Sequence, residues 1–383
     1  MKIAVIGGNG FIGSRIVEQL HLANEHAVVP VVRGASSLAR PARFKLEWRL
    51  ADALDATALR TALEGCDAVV HAAAGRGREL ERMPAILCAA AAAAGIKRVV
   101  YLSSMSVHGV TPEPGTNEHS PLVTTHASEE INHRVIGEQV FFQRCERLHL
   151  EGIALRPGLV YGPRSAWFAD LVRDLREGRA WWFGDGRGIF NGIYVDNLVS
   201  AVFSALAAPA AATGKPYLVG DEDTVTWREF YLATTALVGA HPRRIANVTQ
   251  IPAEKTNARS RLRRLADSRG VQAVVPVMPS GVKRFAKYML STPAGPVDSW
   301  APQPTRAPAV TAELALQQQC RWRFPHKRAA RALGFHAPVT FALGLKRTAA
   351  WLAFAEGESP RVALPAGADN SSEARASATA RAE

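Results

Sequence analysis

Three glycines, Gly7, Gly10 and Gly13, fall in the stretch VIGGNGFIG, between an apolar run and an amphipathic one. Each position carries its own demand. The first needs backbone angles closed to residues with a Cβ. The second lets the main chain approach a pyrophosphate, and the third lets a helix pack on the strand before it. The helix that follows offers unpaired N–H groups, those of Phe11, Ile12 and Gly13, to an anion. The pattern lies directly after a strand and inside a β-α-β unit, the setting that the motif requires. The chemistry it implies is dinucleotide binding.

The end of the second predicted strand chooses between dinucleotides. An acidic residue there holds the ribose 2′-hydroxyl of NAD. This chain has VVRGASS, with Arg33 in that place. A guanidinium suits a 2′-phosphate bidentately, so NADP is the expected cofactor, with NAD as the alternative. Asp52, after the third strand, is placed to accept a hydrogen bond from the adenine amine, or else is an ordinary loop or capping aspartate.

These residues need a scaffold, and the periodicity supplies one. KIAVIGG, AVVPVV, a short strand ending near Asp52, CDAVVHAAA and Arg98–Leu102 are apolar runs separated by amphipathic helical stretches. Strands apolar on both faces and alternating with helices predict a parallel sheet covered on both sides. The expected fold class is α/β, a Rossmann-type doubly wound parallel sheet with a smaller mixed C-terminal substrate-binding region. The expected division is residues 1–160 for the dinucleotide-binding domain, with 190–210 returning to it, 161–355 for the substrate-binding region, and 356–383 as a disordered tail. GIALRPGLVYG reads as one strand ended by Pro163, and KPYLVGD as another. YVDNLVSAVFSALAA reads as a helix, and Thr226 with Glu229 forms a capping box at the start of the next. EKTNARSRLRRLADSRG is basic and helical in pattern, VKRFAKYML is a short amphipathic stretch, and the segment beginning KRAARALGF is compact and helical.

Bulk properties remove several classes. The chain has 383 residues, 48% hydrophobic and 21% charged, enough for a large core. Its net charge of +12 comes mostly from arginines spread along the chain. No basic run is interleaved with aromatics, so nucleic-acid binding is not expected. No apolar run approaches the ~18 residues of a membrane span. Cys66, Cys88, Cys145 and Cys320 show no metal-ligand spacing, and no metal is expected. Met1 leads straight into a strand, and the expected location is the cytoplasm.

Taken in order, GGNGFIG, DAVVHAAA, VVYLSSMSVHG, LRPGLVYGP, YVDNLVSAV and the late ALGFHAPVTFALGLKRTAAWL resemble the extended (atypical) short-chain dehydrogenase/reductase superfamily, of the NAD(P)-dependent epimerase/dehydratase type. The resemblance covers most of the chain. It implies that Ala73 joins the cofactor wall and that Ser104 donates to the oxygen of the reacting carbon. It further implies a tyrosine and, four residues on, a lysine on one face of a helix, the lysine holding the nicotinamide ribose. In SEEINHRVIGEQV these seats are taken by Glu130 and Arg134, with Glu138 as the family's trailing glutamate. Arg134 keeps a positive charge and a hydrogen bond for the ribose. Glu130 beside a guanidinium stays ionised, so it accepts protons better than it donates them. His108 stands at the family's usual tyrosine in the serine motif, and His108, His126 and His133 are further acid/base candidates. Leu159, and Phe190 or Asn191, replace an asparagine and an arginine common in sugar-nucleotide members, with Arg187 nearby as a substitute. The aromatic run AWWFGDGRGIF fits an apolar pocket wall.

Two functional expectations follow. The first is an NADP-dependent oxidoreductase or epimerase acting on an alcohol or ketone carbon of a small molecule, a nucleotide-sugar or an apolar ketone, with an atypical acid/base. The second is a catalytically silent dinucleotide-binding protein with a regulatory or assembly role. The resemblance also implies a homodimer paired through the helix that carries Glu130 and Arg134.

Overall fold

The computed structural model describes residues 1–34, 41–251 and 310–357. Seven short strands, β1 (Lys2–Ile6), β2 (Ala27–Val32), β3 (Arg49–Leu50), β4 (Ala68–His71), β5 (Arg98–Leu102), β6 (Glu151–Pro157) and β10 (Lys215–Val219), form one sheet in the order β10-β6-β5-β4-β1-β2-β3. Every pairing in it is parallel, with Ile3 opposite Val28 on one side of β1 and opposite Ala68 on the other. The strand order reverses direction next to β1, as in a doubly wound sheet.

The period of two along a strand sends alternate residues to opposite faces, and both faces are covered. Ile3 and Val5 join Val70, Val100 and Leu155 beneath α1 (Phe11–Ala23), α6 (Val195–Ala207) and α9 (Lys327–Leu333). Ala4 and Ile6 join Val69, Val99 and Ala154 beneath α2 (Ala56–Leu63), α3 (Glu79–Ala93) and α4 (Glu129–Arg147). Where α3 and α4 meet, Gly137 allows close approach, since a Cβ there would lie 2.3 Å from the Leu80 carbonyl oxygen.

A third core forms where the sheet ends. It joins α5 (Ala166–Glu177), α7 (Trp227–Val238) and α10 (Phe341–Ala355) around Tyr161, Phe190, Tyr194 and Phe230. Two small parallel pairs complete it, β7 (Leu159–Tyr161) with β9 (Gly192–Tyr194), and β8 (Trp181–Phe183) with β11 (Ala246–Val248). The capping box at Thr226 and Glu229 is formed as the sequence pattern predicts.

One expected strand is two. GIALRPGLVYG leaves the main sheet at Gly158 and resumes as β7 against β9. A Cβ at Gly158 would lie 2.3 Å from the Asn191 carbonyl oxygen, so only glycine lets the chain swing across there. The aromatic run is largely core, with Trp181 and Phe190 each 5% exposed. The predicted stretches EKTNARSRLRRLADSRG and VKRFAKYML, and residues 358–383 of the tail, lie outside the described residues.

Candidate functional site

The glycine turn is built as its sequence demands. Gly7 has φ +80°, and a Cβ on it would stand 2.8 Å from the Ala73 backbone at the end of β4. A Cβ on Gly13 would stand 2.2 Å from the Gly7 carbonyl oxygen, and one on Gly10 would stand 3.2 Å from it. Gly10 N–H donates to the Gly7 carbonyl at 2.8 Å, which closes the turn. Helix α1 begins at Phe11 with no side-chain cap, and its first return bond runs from Ser14 N–H to the Gly10 carbonyl. The N–H groups of Phe11, Ile12 and Gly13 therefore have no partner inside the helix, and the cradle fits a pyrophosphate.

Arg33 is exposed at the end of β2, and Asp52 is exposed after β3. The Asp52 carboxylate accepts from Leu54 N–H at 2.9 Å, so part of its capacity goes to its own loop.

Past the carboxyl ends of β5 and β6 lies a cavity of about 400 Å³. Its wall brings together Ser104, Glu130 and Arg134 with Ile12 from the first turn of α1. The four come from three separate elements, so no single stretch of sequence contains the site. The Ser104 hydroxyl accepts from Ser106 N–H at 3.1 Å and lies 2.8 Å from the Ser106 hydroxyl. It thereby caps the short 3-10 turn Met105–His108 and is held at the rim of β5. Ser106 supplies the N–H that Ser104 accepts and also lines the cavity. Arg134 donates from Nη2 to Glu130 at 2.8 Å, the four-residue spacing seen in the sequence. Glu130 remains exposed and Arg134 half-buried.

Beneath these residues runs a buried network. Glu138, 1% exposed, pairs with Arg156, 2% exposed, and accepts from the Ser103 hydroxyl at 2.5 Å. Arg156 also reaches His108 Nε2 at 2.9 Å. Burial, then the Arg156 charge, pushes His108 down to about 4, so it stays neutral near neutral pH and accepts from Arg156. His133 is engaged by Glu81 at 2.6 Å, and His126 borders a neighbouring cavity. None of the three candidate histidines lines the cavity that holds Ser104. Arg187 is exposed, pairs with Asp185 at 3.0 Å, and is likewise outside that wall.

Leu159 and Asn191, at positions that the resemblance marked for substrate contact, both line the cavity, whereas Glu313 and Gln317 gave no recognisable signal in the sequence. Asn191 lines the cavity while bonding the Trp322 carbonyl at 2.9 Å and Phe324 N–H at 3.1 Å. Glu313 and Gln317 reach it from α8 (Ala312–Gln317), far along the chain. Nearby, Asp221 is held by Tyr161 OH, Tyr194 N–H and Asn197 Nδ2, at 2.8, 2.9 and 2.6 Å. Burial raises its carboxyl to about 6, against the lowering effect of those three donors.

A glycine cradle at the first β-α turn of a doubly wound parallel sheet, with a polar cavity at the carboxyl ends of the strands, defines a dinucleotide-binding enzyme fold. Residues 3–220 match the NAD dependent epimerase/dehydratase family, and the chain belongs to that family. It is 30% identical over 271 residues to a 2-alkyl-3-oxoalkanoate reductase from Stenotrophomonas maltophilia, covering 63% of this chain and 76% of the relative. It is also 30% identical over 294 residues to a UDP-glucose 4-epimerase from Mycolicibacterium smegmatis, covering 68% of this chain and 91% of the relative. Among solved structures, UDP-glucuronic acid 4-epimerase from Bacillus cereus in complex with NAD shares the fold at TM-score 0.65 and 17% identity, covering 92% of this chain and 98% of that one. The chain is thus an oxidoreductase- or epimerase-like enzyme of an NAD-dependent family.

Proposed function

We propose that this protein is an NADP-dependent oxidoreductase acting on an alcohol or ketone carbon of a small, mainly apolar ketone. The observation that carries the reading is the single cavity in which Ser104, Glu130 and Arg134 meet Ile12 of the cradle helix. The dinucleotide, when bound, supplies or accepts the hydride. The protein's residues do the rest. Ser104 donates its hydroxyl to the substrate oxygen and fixes the carbonyl. Arg134 hydrogen-bonds the nicotinamide ribose, as the lysine does in the family pattern. Glu130, paired with Arg134 at 2.8 Å, accepts a proton in the alcohol-oxidising direction. Arg33 favours the 2′-phosphate of NADP.

Charge supports the apolar ketone over a nucleotide-sugar. Among the described residues lining the cavity, Arg134 is the one cation, and it faces two carboxylates, Glu130 and Glu313. Among the described residues, the adjoining cavity adds Glu113 and Glu129 and no lysine or arginine. A diphosphate would meet a net negative set of described residues in both. The epimerase relative makes the nucleotide-sugar the competing class, so both belong in the test. NADPH and NADH are titrated by fluorescence, and reduced-nicotinamide absorbance is then followed with a 2-alkyl-3-oxoalkanoate ester and with UDP-glucose. Turnover of the ester supports the reading. Turnover of UDP-glucose alone replaces the substrate class, and tight binding without any turnover favours a silent dinucleotide-binding protein.

A further inference from the structure

The cavity has no tyrosine among its described lining residues, and Glu130 is locked to Arg134 at 2.8 Å. Ketone reduction nevertheless needs a proton at the substrate oxygen. We propose that Glu313, on the first turn of α8, is the group that delivers that proton. The proposal rests on the oxidoreductase reading above and supplies its missing acid.

Position comes first. Glu313 lines the cavity that holds Ser104, Glu130 and Arg134, and it also lines the adjoining cavity of about 980 Å³. It therefore stands at their junction, where a substrate spanning both would pass. Its helix is anchored: Thr311 caps Leu314 N–H at 3.4 Å, and buried Gln318 accepts from Phe183 N–H at 2.6 Å. The carboxyl is thus carried on a short, tethered helix and not on a loose loop.

Charge comes second. Two carboxyls share one guanidinium here. Glu130 has Arg134 as its ion-pair partner, whereas Glu313 forms no ion pair among the described residues. Partial desolvation, then the negative charge of Glu130, raises the Glu313 carboxyl above the usual range, and Arg134 opposes this. Glu113, Glu129, His108 and His126 also border the second cavity, and none of them is a permanent cation. Two neighbouring carboxyls in different environments can divide the roles of base and acid. Glu130 holds the guanidinium of Arg134, and Glu313, without an ion-pair partner among the described residues and raised in its affinity for protons, is the one suited to give a proton up.

The step balances. Hydride from a reduced nicotinamide dinucleotide forms a C–H bond at the carbonyl carbon, and the C=O π pair passes to oxygen. That oxygen takes the Glu313 proton, forming O–H and leaving the carboxylate. The ketone is reduced and the nicotinamide oxidised. Glu313 is exposed on its outer side, so water returns the proton.

The test uses the full chain, NADPH and the ethyl ester of 2-methyl-3-oxobutanoate. Glu313→Gln should lower kcat about 100-fold while leaving KM and NADPH affinity unchanged, and Glu313→Asp should recover part of the loss. In the wild type the reduction rate should fall as pH rises through the raised carboxyl titration, and this limb should vanish in Glu313→Gln. Independently of activity, carbon-13 NMR should show one glutamate carboxyl titrating above the others, absent in Glu313→Gln and moved down in Glu130→Gln. A wild-type kcat and pH profile in Glu313→Gln overturns the assignment, as does the absence of that high carboxyl. A wild type that turns over no ketone at all sinks the oxidoreductase reading instead, and the donor role with it.

Discussion

At the scale of single residues, each polar group of the site has a different physical condition, and each condition has a measurable consequence. Ser104 lines the cavity, and its hydroxyl accepts from Ser106 N–H. Ser104→Ala should therefore lower kcat about 100-fold, the range for losing one donor to a developing oxyanion. Its effect on stability should be no more than about 2 kcal/mol, because the two hydrogen bonds lost are both to Ser106 in one short turn. Kinetics and urea unfolding of the same variant separate the two effects. A kcat close to wild type would remove Ser104 from the chemistry. His71 shows the opposite situation, being 2% exposed with Nε2 meeting no hydrogen-bond partner among the described residues. Burial pushes its pKa from 6.5 down to about 4. The unfolded chain therefore binds the extra proton first as pH falls, and stability drops between those two values. The loss from this group approaches roughly 3 kcal/mol at the acid end. His108 adds loss of the same sign, while Asp221, raised to about 6, acts in reverse and favours the fold below that pH. Replacing His71 by Phe should remove only the His71 part. Urea unfolding near neutral pH and near the acid end checks it, and an unchanged acid loss in the variant would refute the linkage.

At the scale of elements, the site depends on how α4 sits against β5 and β6. The buried Glu138–Arg156 pair fastens α4 to β6, and Ser103 and His108 attach the loop after β5 to the same pair. This pair keeps the helix face carrying Glu130 and Arg134 beside Ser104. Removing one partner strands a buried charge, so Glu138→Gln or Arg156→Met alone should cost about 3–5 kcal/mol. The double variant should recover part of that loss, because no lone charge remains. Equilibrium unfolding of both singles and the double makes the cycle, and strict additivity would show that the two do not act as a pair. Much of this level was legible in the chain. The glycine spacing, the β-α alternation and the four-residue step from Arg134 to Glu138 are local periodic signals, and local signals survive without the fold. The break at Gly158 was not legible, because it depends on the Asn191 carbonyl, distant in sequence. Glu313 and Gln317 were invisible as wall residues for the same reason. A six-residue helix with one glutamate looks like any surface turn until the fold brings it to the cavity. His108 was legible as an acid/base candidate by its type and its place in the serine motif, and only its burial against Arg156 shows that it stays neutral.

At the scale of the whole molecule, the C-terminal helices are joined to the sheet and not merely appended to it. Asn197 of α6 exchanges two hydrogen bonds with Val339, at 2.8 and 2.9 Å, and also binds Asp221 at 2.6 Å. Asp196, beside it, pairs with Arg15 of α1 at 2.5 Å and lies 3.9 Å from Arg347 of α10. Leu333 and Phe335 sit in the same core as β1 and α1. With such ties the described parts should unfold as one unit, and a ligand bound at the glycine turn should lift the whole transition. At a hundredfold excess over Kd a ligand that binds only the folded chain adds about 2.7 kcal/mol, which for a chain of this size moves Tm by roughly 3 °C. On the proposed reading, Arg33 decides which dinucleotide does this at lower concentration. NADP should shift Tm more than NAD at equal concentration. Arg33→Glu should erase that difference and retain the NAD shift, since the glycine cradle is untouched and a carboxylate suits the 2′-hydroxyl. Calorimetry with each dinucleotide on both proteins tests the two claims together. Two separated transitions would break the single-unit account, and equal shifts from NADP and NAD in the wild type would remove Arg33 from cofactor choice.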